Sequence, residues 1–352
     1  MLTLTKSLFA LMIGFLLSTA FGLVAIPLLK KIKAGQRINI YVENHQKKSG
    51  TPTMGGIIFI IPTIITTIIL LLTNKIEFSV NLLIVMFVFI SYGLIGFLDD
   101  YISIKQNHNK GLSQSQKLFL QFIVALIFYI LYRKYTDANS TLEITLLNIE
   151  WKLDWFYGVF ILFLLVGSSN AVNLTDGLDG LAGGLSAISI LAFGLISWGS
   201  YWIEGYQDIG IFCFILVGSI MGFLVYNTNP AKVFMGDTGS LTIGGIIAVF
   251  AIIIHKELLI PILCGIFLVE NLSVILQVKY FQAGKKKGKK QRIFKRTPIH
   301  DHFRITAAQL DPECSYLFTK PANVFHESKI TVRFWIITII LAAITIITLK
   351  IR

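Results

Sequence analysis

Residues 82–100 read LLIVMFVFISYGLIGFLDD, seventeen uncharged residues closed by two adjacent aspartates. A helix of that length is at the lower limit for crossing about 30 Å of hydrocarbon, and a carboxylate pair marks where the chain must leave it. Similar runs recur along the chain. Ten apolar spans are predicted: Leu8–Leu29, Gly56–Leu72, Leu82–Leu98, Leu118–Tyr132, Trp155–Val172, Leu181–Trp198, Ile209–Tyr226, Leu241–Ile254, Leu258–Tyr280 and Phe334–Leu349. The fourth and eighth are short. Lipid cannot satisfy backbone amides, so each span is expected to be helical, and no period-2 pattern suggests a membrane barrel.

The composition agrees. Of 352 residues, 55% are hydrophobic and 14% charged, where a soluble domain carries about 25% charged. This excludes an ordinary soluble enzyme, a disordered chain and a secreted disulfide scaffold. Cys213, Cys264 and Cys314 form no CxxC pair, so neither a disulfide framework nor a zinc site is expected. Lys6 precedes the first apolar run, but that run is longer than a signal-peptide core and its basic cluster follows it, so it reads as a span. No internal repeat is visible.

The net charge is +12. In a membrane protein this points to positive-inside loops beside anionic lipid rather than to nucleic acid. With the loop after the first span in the cytoplasm, only Lys6, Lys75, Arg133, Lys134, Lys152, Lys256, Lys350 and Arg352 of the 31 Lys and Arg fall outside. The expected fold is therefore all-α, a single domain over residues 1–352 with about ten transmembrane helices and both termini extracytoplasmic. A basic cytoplasmic loop over 281–333 includes KKKGKKQRIFKR (285–296), read as facing anionic lipid.

This topology gathers the unusual acids on the cytoplasmic face. Asp99 and Asp100 end the third span, Asp176 and Asp179 lie in NAVNLTDGLDGLA (170–182), and Asp237 lies in PAKVFMGDTGS (230–240). Any one of them could cap a helix, Asp237 above all. Capping does not require five acids from three loops. Carboxylates beside hydrocarbon need a cation or a substrate, and hard oxygen donors suit Mg²⁺. Carboxylates, Mg²⁺ and lysine are the equipment of phosphoryl transfer. SGTPTMGG (49–56), after Lys47 and Lys48, could cradle a diphosphate on its amides and Thr hydroxyls. In PIHDHF (298–303), His300 and His302 could bind phosphate, ligate a metal or simply be solvated. Glu270, mid-span by count, reads as a structural acid facing other helices.

Seven stretches, in this order, together resemble the polyprenyl-phosphate N-acetylhexosamine-1-phosphate transferases, and within them the muramoyl-pentapeptide branch. They are GTPTMGG (50–56), GFLDDY (96–101), KGLS (110–113) with Lys117, NLTDGLDGLA (173–182), NPAKVFMGDTGSL (229–241), PIHDHF and ESKITVRFW (327–335). The resemblance implies Mg²⁺-dependent transfer of phospho-MurNAc-pentapeptide from its UDP donor to undecaprenyl phosphate, releasing UMP, in a homodimer of the bacterial cytoplasmic membrane. It implies Asp237 as the principal Mg²⁺ ligand and Asp99 and Asp100 at the reaction centre. Asn173, Asp176 and Asp179 would line the nucleoside side, and Phe234 would stack on uracil near Lys48 and Asn227. Lys117 and His302 fall on catalytic positions; Thr53, Gly236 and His300 fall on substrate-binding ones. Direct attack by the lipid phosphate accounts for the aspartates through coordination alone, although a phospho-Asp99 intermediate fits the same residues.

Two departures stand out. The family loop usually reads PIHHHFE, whereas this chain has Asp301 and Arg304 at the fourth and seventh positions. An ionised Asp301 would repel phosphate, and Arg304 or a neighbouring lysine could restore the charge balance. The stretch 305–326 is also longer than expected. The rival readings are a transferase using UDP-GlcNAc, which would share the aspartates, and a secondary transporter, which would place its acids mid-membrane.

Overall fold

The computed structural model describes residues 2–32, 50–106, 111–136, 138, 140–144, 149–198 and 205–350. Lys48, with the rest of the basic first loop from Lys33 onward, lies outside them.

Every predicted span is helical. The long helices are α1 (Leu2–Lys31), α2 (Ile57–Leu72), α3 (Val80–Lys105), α4 (Gln114–Tyr135), α5 (Phe156–Thr175), α6 (Leu181–Trp198), α7 (Gln207–Asn227) and α8 (Gly236–Ile253). A four-residue helix α9 (Ile260–Leu263), then α10 (Gly265–Lys286), a short α11 (Ile299–Arg304) and α12 (Glu327–Lys350) complete them. Among the described residues, seven helices are long and apolar enough to cross a membrane: α1, α3, α4, α5, α7, α8 and α12. The chain is a polytopic membrane protein.

The lengths differ from expectation in an informative way. The fourth and eighth spans reach 22 and 18 residues because polar ends join the helix: Gln114–Lys117 in α4, and Gly236–Ser240 in α8. Ser113 starts α4 with a reciprocal capping box to Gln116. The shorter apolar helices are α2 and α6. The ninth span is not straight. Glu257–Leu263 and α10 meet at 79°, broken where Cys264 leaves helical geometry just before Gly265. The all-α expectation also needs correction, because two small two-stranded sheets lie between helices. An antiparallel hairpin pairs β1 (Thr141–Ile144) with β2 (Ile149–Lys152), and a parallel pair joins β3 (Gln291–Phe294) to β4 (Ser315–Phe318) across α11.

The bundle is organised around α7 and α8. In α8 every residue from Thr238 to Ile253 is buried, and α7 is buried from Asp208 to Ile220. A helix apolar on all sides belongs at the centre. Against α7 pack α1 and α6; against α8 pack α3 and α5. The outer helices reverse the soluble pattern, with Phe9, Leu16 and Leu23 of α1 and Ile336, Ile340 and Ile347 of α12 exposed, as side chains facing acyl chains should be. In α10 the inversion covers the central turns: Glu270, Ser273 and Gln277 are buried while Leu272, Ile275 and Leu276 are exposed.

Close approach of α3 to the start of α8 depends on Gly96, where a Cβ would lie 2.1 Å from the Asp237 carbonyl oxygen. Without lipid-specific hydrophobic drive, such small-residue contacts set helix spacing. Gly96→Ala is expected to destabilise the bundle by about 1–3 kcal/mol, the cost of overpacking, seen as a lower midpoint of thermal unfolding in detergent. An unchanged midpoint would contradict this packing.

Candidate active site

The N-terminus of α8 presents amides with no intrahelical partner. Its preceding residue, Met235, supplies no side-chain cap, and Asp237, which could have served as one, does not. The cap comes from another helix. Asp100, buried in the penultimate turn of α3, accepts from the Thr238 amide at 2.9 Å, the Thr238 hydroxyl at 2.6 Å and the Asp237 amide at 3.3 Å. Thr238 is the partner that reading the sequence missed; its signal was the GDTGS stretch itself. Gly236 makes the approach possible at φ +71°, since a Cβ there would lie 2.5 Å from Asp100 Oδ2.

Asp237 is thereby free to face outward from the first turn of α8. Asn173 of α5 donates to its Oδ1 at 2.8 Å, and the Lys117 ammonium of α4 binds its Oδ2. Lys117 also reaches Asp99 Oδ2 at 3.2 Å, while Asp99 Oδ1 accepts from the Leu112 amide at 2.8 Å. One oxygen each from Asp99, Asp100 and Asp237 falls within a 4.8 Å cluster. Three carboxylates against one ammonium leave room in charge for a further cation. The Lys117 ammonium between Asp99 and Asp237 demonstrates that the gap accepts positive charge, and oxygen-only donors fit Mg²⁺ rather than a softer metal. Enclosure by protein raises the carboxyl of Asp176 well above the ordinary range, and Asp237, Asp100 and Asp179 push the same way.

Two loops flank the cluster and are tied together by backbone. Phe234 N–H donates to Pro52 at 2.8 Å, Gly55 N–H to Phe234 at 2.8 Å and Gly56 N–H to Met235 at 2.9 Å. Of the donors that 49–56 could offer a diphosphate, the Gly55 and Gly56 amides are already engaged: they hold the loop that carries Phe234. Thr53 remains; its buried hydroxyl makes no hydrogen bond among the described residues and lies where a Gly236 Cβ would touch it. Phe234 is half-buried.

Asn227 and Asp179 tie loops too. Asn227 accepts from the Gly180 amide at 3.0 Å and donates to the Val233 carbonyl at 2.9 Å. Asp179 Oδ2 accepts from Asn229 at 2.9 Å and from the Ala231 amide at 3.2 Å. Both side chains join the 176–180 turn to the loop before α8.

The histidine loop separates its two histidines. His300 is buried against Glu270, Nδ1 to Oε2 at 3.0 Å, so the intramembrane acid serves this loop. His302, expected at a catalytic position, has both ring nitrogens committed to backbone. Nδ1 accepts from the Lys295 amide at 3.1 Å, and Nε2 donates to the Lys320 carbonyl at 2.7 Å. This arrangement requires the neutral ring, and burial lowers its pKa in the same direction. Lys295 is itself buried, with its ammonium donating to the Ile305 and Pro321 carbonyls at 2.8 Å each. Asp301 does not stand as an unbalanced charge: Arg304 binds it at 2.6 Å and Arg296 at 3.3 Å.

Below Lys117 a groove of about 950 Å³ opens between α4, α5 and α10. Lys117, Asn173 and Gln114 line its polar end, and Phe122, Leu162 and Phe163 its apolar walls.

Because the folded pKa of His302 is depressed, its contribution to stability is present above about 6.5, the ordinary histidine value, and is lost as pH falls through the folded value. Acidification should therefore speed protease cleavage within 305–320, and His302→Gln, which cannot be protonated, should abolish that pH dependence. Equal acid sensitivity in both proteins would contradict the assignment.

Comparison with known proteins places this geometry. The Glycosyl transferase family 4 model matches residues 82–255, and the phospho-N-acetylmuramoyl-pentapeptide-transferase signature 1 matches residues 48–60. The chain is 47% identical to the phospho-N-acetylmuramoyl-pentapeptide-transferase of Phocaeicola vulgatus, covering 99% of this chain and 94% of that one. It is 43% identical to the enzyme of the same name from Bacillus subtilis, covering 96% of both. Identity of this extent, over nearly the full length of both chains, assigns the protein to the phospho-N-acetylmuramoyl-pentapeptide-transferase family of glycosyl-1-phosphate transferases.

Proposed function

We propose that this chain transfers phospho-MurNAc-pentapeptide from its UDP donor to undecaprenyl phosphate, yielding UMP and the first lipid-linked intermediate of peptidoglycan synthesis. The observation that carries the proposal is a juxtaposition: Lys117, which pairs with Asp99 and Asp237, lines the polar end of an apolar groove. A lipid phosphate needs both at once, hydrocarbon walls for its chain and a charged end for its head.

In this reading the groove receives the polyprenyl chain and Lys117 attracts the acceptor phosphate. An acceptor oxygen attacks the sugar-bearing phosphorus of the donor, a new diphosphate bond forms, and the bond to the UMP phosphate breaks. Monoester phosphates lose their second proton near pH 6, so a strong base is not required, and Asp99 accepts that proton where it remains. Asp237 is the principal ligand for Mg²⁺, with Asp99 beside it, and Asp100 holds the α8 N-terminus in place. When bound, Mg²⁺ supplies charge neutralisation for the diphosphate. Asn173 orients Asp237, Phe234 stacks on uracil, and Asp176 and Thr53 contribute polar contacts on the donor side beside Gly236; family membership adds Lys48 as a donor-binding residue.

Family membership and the charge asymmetry of the loops support ten spans in a single transferase domain of the bacterial cytoplasmic membrane. Both termini are extracytoplasmic, the 281–333 loop lies in the cytoplasm, and the chain works as a homodimer.

Purified protein with Mg²⁺ and undecaprenyl phosphate should release UMP from UDP-MurNAc-pentapeptide and not from UDP-GlcNAc offered in parallel. Turnover of UDP-GlcNAc alone would move the chain to the sister branch, and turnover of neither would reject the transferase reading. Asp237→Asn should reduce UMP release by about 100-fold or more, the scale of losing a charge-stabilising group, while folding in detergent persists. Retention of most turnover at saturating Mg²⁺ would overturn the ligand assignment.

A further inference from the structure

A buried chain of polar and charged side chains runs from the second turn of α10 to the start of α12. Glu270, with no exposure, accepts from the His300 amide at 3.2 Å and pairs with its ring at 3.0 Å. On the other side of that ring, Nε2 stands 3.6 Å from Asp301 Oδ1. The same Asp301 oxygen is bound by Arg304 at 2.6 Å, and the other nitrogen of that guanidinium reaches Glu327 of α12 at 3.2 Å. The side chains of Asp301, Arg304 and Glu327 are only 9%, 8% and 11% exposed. Burying ionised groups costs desolvation that replacement by apolar residues would avoid, so such networks are weak devices for stability and better ones for fixing geometry.

What the chain fixes is the turn that follows α5. The His300 ring abuts Gly177 so closely that a Cβ there would lie 2.3 Å from Nε2. From the opposite side α12 grips the same turn: Thr331 donates to the Asp179 carbonyl at 3.3 Å and Trp335 Nε1 to the Gly180 carbonyl at 3.2 Å. The 176–180 turn thus sits between α11 and α12, and Arg304 with Glu327 is an ionic strut that joins those two helices.

We propose that Arg304 is a positioning residue for the donor side of the site: by bridging Asp301 to Glu327 it holds His300 against Gly177 and sets the 176–180 turn. This rests on the proposed function, in which that turn lines the donor. Each carboxylate takes a different terminal nitrogen of the planar guanidinium, so a lysine at this position, reaching for both from one ammonium, does not reproduce the spacing of the strut.

The test uses the full chain in detergent with Arg304→Lys, which keeps the charge, Glu327→Gln, and the double variant. Each single variant should raise KM for the UDP donor about tenfold, leaving kcat and the acceptor KM within about twofold. The double should be no worse than the poorer single, since both remove one strut. Hydrogen exchange gives a readout independent of turnover. Peptides covering 176–182 should exchange faster in the variants, and those covering 96–101 and 236–242 should not change. Unaltered exchange in 176–182 overturns the inference whether or not UMP is released. So does a loss falling on kcat or on both KM values alike, or multiplicative effects in the double variant. Failure of the parent chain to release UMP, with exchange changed as expected, would overturn the functional reading and leave the strut established.

Discussion

One carboxylate from α3 on the open end of α8 organises the site. A helix buried on all sides cannot send its first amides to water, and the unfavourable alternative to a partner is several kcal/mol of unsatisfied polar backbone. Asp100 supplies that partner with both oxygens. Everything else in the centre follows from the contact. With the α8 terminus capped from α3, Asp237 turns outward, and Lys117 bridges it to Asp99, the residue before Asp100. The price in conformational freedom falls on two glycines: Gly96, where α3 touches the Asp237 backbone, and Gly236, which needs a left-handed φ.

The positions of the spans were legible because burial in lipid demands long uncharged runs, and no other constraint writes that pattern. Their ends were less so. Hydropathy ignores Gln114–Lys117 and Gly236–Ser240, which are helical because caps and neighbouring helices satisfy them, so two spans read as short that are not. The break at Cys264–Gly265 is hidden for a related reason: residues on both sides are apolar, and averaging over a window passes across a 79° bend. Glu270 was legible as an inward-facing acid, but its partner and that of Gln277 were not, because both lie in the segment that follows α10.

At the site, three of the five aspartates that the topology gathers, Asp99, Asp100 and Asp237, lie in one cluster, and their individual tasks depend on direction. Asp237 reads as a cap and is not one; Asp100, at the end of a different helix, is. His302 looks chemical beside His300, yet its ring is a backbone staple, a role that only the positions of Lys295 and Lys320 reveal. The Gly55–Gly56 amides, attractive as an anion cradle, are consumed in pairing the two loops. The exchange of a histidine for Asp301 was readable as a charge problem, and the nearby arginines as candidates to solve it; that Arg304 also reaches α12 was not.

Asp237 and Asp99, set in place by the Asp100 cap between α3 and α8, form the proposed divalent-cation site. Its most direct test is the stoichiometry of Mn²⁺ bound to the purified chain, followed by electron paramagnetic resonance with Mg²⁺ as competitor. One Mn²⁺ per chain, displaced by Mg²⁺ and lost in Asp237→Asn, is the expected result. A parent chain that binds none, or a variant that binds as the parent does, would contradict it.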